Sequence, residues 1–259
     1  MKTLVVFHRC GGKSLGFPTN TILTAKWAED HGARAIEYNI VQCLDGKKII
    51  VVEPKLLKQA KLDLNNLDWK DVEKLNVGNE KYGYCRVPLL EEMLSVVDNS
   101  KVGHQIHIKG NHPATVSNLL SKITGVADCI ITTFDIDVIK KIREINNSIP
   151  VGWIIKPKQE SGGEGSDDLT AAVTVGTAVM ENYSAEELDE ILNISKRYAV
   201  TVIILCGPRI KDKSVVTKVR QAGFQVGAWG VGTNLEIAKK LIDYGVDRFT
   251  LDNPEQLHI

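Results

Sequence analysis

Three short stretches hold the groups able to move a proton or hold charge. Phe7-His8-Arg9-Cys10-Gly11-Gly12 sets an imidazole and a guanidinium beside a glycine pair. Ala35-Ile36-Glu37-Tyr38-Asn39-Ile40-Val41 alternates Ile36, Tyr38 and Ile40 with Glu37 and Asn39, so as a strand it turns two metal-capable side chains to one face. His104-Gln105-Ile106-His107-Ile108-Lys109-Gly110 alternates again, with Gln105, His107 and Lys109 on one face and His104, Ile106 and Ile108 on the other. If these stretches are neighbouring parallel strands, their reactive groups share one mouth.

The intervening segments fit that arrangement. Thr3 to Phe7 is a β-branched run that ends at His8-Arg9, so a buried strand delivers both groups to its C-terminal rim. Pro18-Thr19-Asn20-Thr21 reads as a helix start, with Ile22, Ala25, Trp27 and Ala28 as the apolar stripe and His31-Gly32 as the stop. Asp45-Gly46 marks a hairpin whose return strand, Ile49 to Val52, ends at Glu53-Pro54. Its register decides the place of Glu53. A two-residue loop pairs Glu53 with Tyr38, away from Glu37, whereas a bulged three-residue loop pairs it with Asn39.

Residues 55–86 show no sustained period and are rich in Lys, Asp and Asn, which predicts an excursion over the C-terminal mouth of the fold, a usual place for specificity or a lid. A helix with Pro88 near its first turn follows, carrying Leu89, Leu90, Met93, Leu94 and Val97. Strand and helix then alternate: a helix from about Pro113, strand 129–132, helix 136–145, strand 151–155, a Gly- and Ser-rich loop at 159–168, an ambiguous 173–180, helix 184–199, strand 201–205, helix 214–222, strand 226–229, helix 235–244 and strand 248–251. Without the hairpin return this gives nine candidate parallel strands for eight places, and 173–180 is the one to discard. Regular alternation with no mid-chain linker predicts a single α/β domain over residues 1–259, a (β/α)8 TIM barrel with a β-hairpin and insertion after strand 2. In such barrels strand C-termini carry the chemistry, which nominates His8, Arg9, Glu37, Asn39, His107, Lys109, Trp229 and Asp252.

Composition narrows the partners. The 32 basic and 32 acidic residues cancel, so there is no overall field for nucleic acid or an anionic membrane. Five scattered cysteines with no C-x-x-C pair fit reduced thiols and a cytoplasmic protein. The first residues are too few and too polar for a signal-peptide core, far short of the ~18 apolar residues that cross a bilayer. No glycine cluster has the spacing of a nucleotide-binding loop.

At these residues the chain resembles the glycerophosphodiester phosphodiesterase family, nearly from end to end. The family opens with His-Arg-Gly and Pro-Glu-Asn-Thr, where this chain has His8-Arg9-Cys10 and Pro18-Thr19-Asn20-Thr21. Its Glu-x-Asp is similar to Glu37-Tyr38-Asn39, and its Val-Val-x-His-Asp to Val51-Val52-Glu53-Pro54. Its Ile-Pro-Thr-Leu-Glu-Glu resembles Val87-Pro88-Leu89-Leu90-Glu91-Glu92, its Ile-Glu-x-Lys resembles Ile106-His107-Ile108-Lys109, and its closing Gly-Val-Asp-Gly-Ile-x-Thr-Asp-x-Pro resembles Gly245-Val246-Asp247-Arg248 through Asp252-Asn253-Pro254.

The resemblance implies the barrel, a small phosphorylated substrate, a place in lipid metabolism, a divalent cation held by carboxylates and two histidines as acid and base. The departures fall on those working positions. Asn39 stands for an Asp, His107 for a metal-binding Glu, Glu53 for the second His and Thr19 for a Glu. Two neutral groups in place of carboxylates weaken the hold on Mg²⁺ or Ca²⁺ and suit a softer ion such as Mn²⁺ or Zn²⁺, or none.

Three readings follow. In the first, phosphodiester cleavage uses His8 and Glu53 as acid and base, Arg9, Lys109 and Trp229 as phosphate and substrate contacts, and Glu37, Asn39 and His107 as a weak metal set. In the second, the same mouth catalyses a non-hydrolytic elimination or cyclisation of a phosphate or pyrophosphate. In the third it binds a phosphorylated ligand without turnover. His31, His104 and His112 read as structural, and Asp252 as a rim brace acting through backbone hydrogen bonds, with contact to His8 or Arg9 as the alternative.

Overall fold

The computed structural model describes residues 2–110, 112–157 and 180–257. The 159–168 loop, and the 173–180 element apart from Met180, lie outside the described residues. Strands β1 (Leu4–Phe7), β2 (Ala35–Gln42), β3 (Ile49–Val51), β4 (Gly103–Ile108), β5 (Cys129–Thr133), β6 (Val151–Ile154), β7 (Val202–Cys206), β8 (Gln225–Trp229) and β9 (Arg248–Leu251) follow the chain. Their order in the sheet is β1-β9-β8-β7-β6-β5-β4-β2-β3, and β1 also pairs with β2. Eight strands thus close a (β/α)8 barrel, with β3 as the antiparallel hairpin return predicted from Asp45-Gly46.

The chain forms two compact units. One comprises Val6–Ile131 and Asp252–Glu255. In it Phe7 pairs with Ile36, and β2 pairs with β4 so that Glu37 lies beside Gln105 and Asn39 beside His107. Every residue of β2 and β4 is buried, as parallel strands covered on both faces require. Helix α1 (Ile22–Asp30) starts at Thr21, whose hydroxyl accepts from the Thr24 N–H at 3.2 Å. Asn20, at φ +60°, turns the chain into that cap, and its Oδ1 accepts from the Asn39 N–H at 3.0 Å. Pro88 lies two residues before helix α4 (Leu90–Val96), near its first turn as expected, and the Glu92 carboxylate satisfies the Leu89 N–H at 2.9 Å. Helix α5 runs Thr115–Lys122, slightly later than its predicted start.

The 55–86 excursion is more ordered than its sequence suggests. Helices α2 (Pro54–Gln59) and α3 (Trp69–Val72) lead to short bridges joining Asn76 with Arg86 and Asn79 with Gly83. Leu57, Leu67, Val72 and Val87 pack with Val41, Cys43, Ile50 and Val52 in a separate apolar cluster. Its far end joins the loop after β1: Tyr82 stacks on Phe17 with ring centres 4.3 Å apart, and Lys81 Nζ donates to Leu15 O at 2.8 Å.

The second unit comprises Met1–Val5, Thr132–Leu251 and Gln256–Ile259. Strands β6, β7, β8 and β9 pair in parallel in that order. Helices α6 (Ile136–Ile145), α7 (Ala185–Arg197), α8 (Lys213–Gln221) and α9 (Leu235–Tyr244) are amphipathic and start at Asp135, Ser184, Asp212 and Asn234, whose side chains each accept a backbone N–H of the first turn. Among the described residues no helix is long and apolar enough to cross a membrane.

Candidate active site

The site begins with a strained turn. Beyond β1 the backbone enters the left-handed region at Arg9 (φ +52°) and Cys10 (φ +71°) and remains there through Gly11 and Gly12. A Cβ at Gly11 would come within 2.9 Å of the Phe7 ring, and one at Gly12 within 2.9 Å of the Phe17 ring, so both positions need glycine. This turn aims the Arg9 N–H at Glu37 Oε2, 2.9 Å away.

Glu37 is buried at the centre. Its Oε2 also lies 3.8 Å from His8 Nε2, and its Oε1 lies 3.7 Å from His107 Nδ1. Burial works to raise its pKa, but the close His107 imidazole, the His8 charge and the Arg9 N–H outweigh it and hold the carboxyl at about 2. Burial, reinforced by the charge of Lys109, drives His107 down to about 4 against the pull of Glu37. At neutral pH the pair is therefore a carboxylate beside a neutral imidazole.

His8 meets a second carboxylate. Its Nδ1 donates to Asp252 Oδ1 in a short contact, and Lys13 Nζ donates to Asp252 Oδ2 at 2.8 Å. Asp252 braces the rim through its backbone, its carbonyl accepting from the Lys13 N–H at 3.4 Å, and its carboxylate makes the alternative contact with His8, holding a side chain on each oxygen. Burial favours the neutral acid, but these partners lower its pKa well below the usual carboxylate range. Asn253 Oδ1 accepts from the Ser14 N–H at 2.7 Å, anchoring the loop that carries Lys13. Lys13 had no signal in the strand pattern, because it sits in a loop that the alternation does not reach.

The hairpin settles its register in an unforeseen way. Ile40 faces Val51, and Gln42 faces Ile49, which is the two-residue-loop register that places Glu53 on the far face. The ladder stops at Val51, however, and Glu53 serves as the N-terminal flank of α2, outside the alternation. Glu53 Oε2 there accepts from Asn39 Nδ2 at 3.3 Å and lies 2.9 Å from Arg9 Nε, as an ion pair whose N–H is not aligned for a hydrogen bond. His8, Arg9, Glu37, Asn39, Glu53 and His107 are thereby brought together within the first unit, and Lys109, which follows β4, bears on His107 through its charge.

His104 turns away, bonded to Tyr38 Oη at 3.0 Å and Asn99 Oδ1 at 2.7 Å, as the alternation predicts for a structural residue. Trp229 belongs to the second unit. Its indole N–H donates to Ile155 O at 3.0 Å, and its ring meets Phe134 edge to face at 5.3 Å.

A divalent cation, which the resemblance implies, does not fit the donors present. Glu37 is the one carboxylate of the Glu37, Asn39 and His107 set; the Asn39 amide nitrogen is turned to Glu53, and His107 Nδ1 faces Glu37 itself. Gln105 Oε1, beside Glu37 in register, is a buried acceptor with no hydrogen-bond partner among the described residues, but it brings no charge. Among the described residues no three His, Cys, Asp or Glu side chains come together to hold a metal ion.

Fold and strand-end groups together define a (β/α)8 barrel with a charged interior site at the C-terminal ends of its first strands. The chain belongs to the glycerophosphoryl diester phosphodiesterase family, whose sequence profile matches residues 8–256. It is 24% identical to the glycerophosphodiester phosphodiesterase of Bacillus subtilis, over 99% of this chain and 86% of that protein. Its fold is shared with the Oleispira antarctica phosphodiesterase solved in complex with the product sn-glycerol-3-phosphate, at a TM-score of 0.75 and 15% identity over 99% of this chain and 95% of that one. The glycerophosphodiester phosphodiesterase of Thermotoga maritima gives a TM-score of 0.70 and 18% identity, over 99% and 97% of the two chains.

Proposed function

We propose that this chain hydrolyses a glycerophosphodiester, using His8 to protonate the departing alcohol. The observation that carries the reading is the His8–Asp252 contact: Nδ1 is committed to a buried carboxylate, so the ring is fixed with Nε2 toward Glu37 and the interior. Arg9 and Lys109 would neutralise the phosphoryl oxygens. Glu53, paired with Arg9, would take a proton from the attacking water as the new P–O bond forms and the ester P–O bond breaks. The proton donated by His8 leaves on the alcohol, and the one held by Glu53 returns to the imidazole through solvent. Trp229 enters as a substrate contact only through its place at the C-terminal end of β8.

The test is a panel of glycerophosphodiesters followed by ³¹P NMR, in EDTA and with Mg²⁺, Ca²⁺, Mn²⁺ or Zn²⁺. Release of sn-glycerol 3-phosphate by the wild type, abolished in His8→Ala with an unchanged circular dichroism spectrum, supports hydrolysis. A cyclic phosphate product replaces it with cyclisation. Ligand binding without product in any condition leaves a non-catalytic binder.

A further inference from the structure

Asn39 and Glu53 occupy two of the positions that the resemblance gives to metal and proton chemistry, and here they are joined to each other and to Arg9. That junction has an electrostatic consequence. Three carboxylates, Glu37, Glu53 and Asp252, line the site, and each already has its counter-charge or donors: Glu53 has Arg9 and Asn39, Asp252 has Lys13 and His8, and Glu37 has the Arg9 N–H with an imidazole on either side. Lys109 adds a third cation to Arg9 and Lys13, and its charge is felt at His107. Among the described residues the cluster is therefore balanced by the protein's own cations, with no surplus negative charge for a dication to neutralise. A hard ion binds through several oxygens of high charge and discards few of its waters willingly. To enter here it would have to strip Glu37 from the Arg9 N–H and turn the Asn39 amide away from Glu53, breaking bonds that are already made.

We propose that Arg9, its Glu53–Asn39 anchor and Lys109 take the place of a divalent ion, so that the protein receives the phosphate of its ligand without one. The inference rests on the proposed phosphoester chemistry for the identity of the ligand, but not for the exclusion of the ion. A guanidinium and an ammonium supply directed N–H donors to phosphoryl oxygens, and the guanidinium is held by a carboxylate that cannot wander. The amide at position 39 is the element that makes the set unfit for a cation, because an acid there would face Glu53 with like charge and demand one.

Two measurements separate this inference from the activity itself. Mn²⁺ binding to the full chain, followed by the electron paramagnetic resonance of the free ion, needs no substrate. The expectation is no saturable site below about 1 mM for the wild type and a gain of at least about tenfold in Asn39→Asp. A wild-type site in the micromolar range overturns the inference, and the absence of any gain in a folded Asn39→Asp overturns the role given to the amide. Calorimetry with sn-glycerol 3-phosphate in EDTA, and again with excess Mg²⁺, is expected to give dissociation constants within about twofold of each other, weakened at least about tenfold in Arg9→Gln. Binding that requires Mg²⁺ overturns the inference. Absence of binding in both buffers removes the phosphate-receiving role of Arg9 and with it the proposed ligand class, while the Mn²⁺ result still decides whether the protein holds an ion.

Discussion

Asp252, the residue after β9, grips the Nδ1 of His8, the residue after β1, across 244 positions of sequence. The second oxygen of the carboxylate goes to Lys13, so the group that orients the imidazole is itself pinned. If this contact positions the proton donor, Asp252→Ala lowers kcat for glycerophosphodiester hydrolysis by at least about tenfold while KM stays within about threefold, and His8→Ala loses roughly 10²–10⁴. An Asp252→Ala enzyme with full kcat would leave the carboxylate as a brace only.

Glu53 distinguishes two roles for one side chain. Replacement by Gln retains the acceptor for Asn39 and removes the charge beside Arg9. As the proton acceptor for water, Glu53 predicts a kcat loss of about 100-fold in Glu53→Gln. A raised KM with unchanged kcat would instead make it the anchor of Arg9 alone.

Cys10 stands where the resembled family has glycine, and it is buried at φ +71°. A left-handed backbone costs a residue with a Cβ on the order of 1 kcal/mol. Cys10→Ala keeps that cost and loses a buried thiol, so urea denaturation should show a loss of about 1 kcal/mol. Cys10→Gly relieves the strain as it loses the thiol, and should fall nearer the wild type. The reverse ranking would mean that the turn is not strained.

Acid should weaken the fold through its buried imidazoles before it reaches the carboxylates. Burial, only partly opposed by Asp128, lowers His104 from 6.5 to about 4, so the folded chain prefers the neutral ring and the unfolded chain takes up the proton first. The stability tied to this group is present above pH 6.5 and lost as pH falls to 4, at most about 3 kcal/mol. His107 acts in the same window, whereas Glu37, depressed to about 2, withdraws its share between 4.5 and 2. His104→Gln should flatten the decline in urea midpoint between pH 7 and 4.5 by roughly half. An unchanged slope would show that this ring titrates alike in the folded and unfolded chains.

The helices α6 and α9 lie where their sequence periodicity places them, residue for residue, because an amphipathic stripe bounded by an Asp or Asn cap is a purely local signal. The convergence of His8, Glu37, Asn39 and His107 was equally legible, since parallel strands in register carry alternation from one strand to the next. Alternation ends where a strand ends, and beyond that point it fixes no partner. Glu53 and Asp252 each lie just past a ladder, and their partners are chosen by the turn that follows. The core beneath residues 55–86 was invisible for another reason: α2 and α3 are too short to show a period, and their leucines find one another only in three dimensions.

Leu57, Leu67, Val72 and Val87 give that stretch an anchorage of its own on the hairpin, while Lys81 and Tyr82 tie its far end to the loop after β1. The excursion and the turn that carries Lys13 are thereby mechanically joined, so a change in one is expected to be felt at the other.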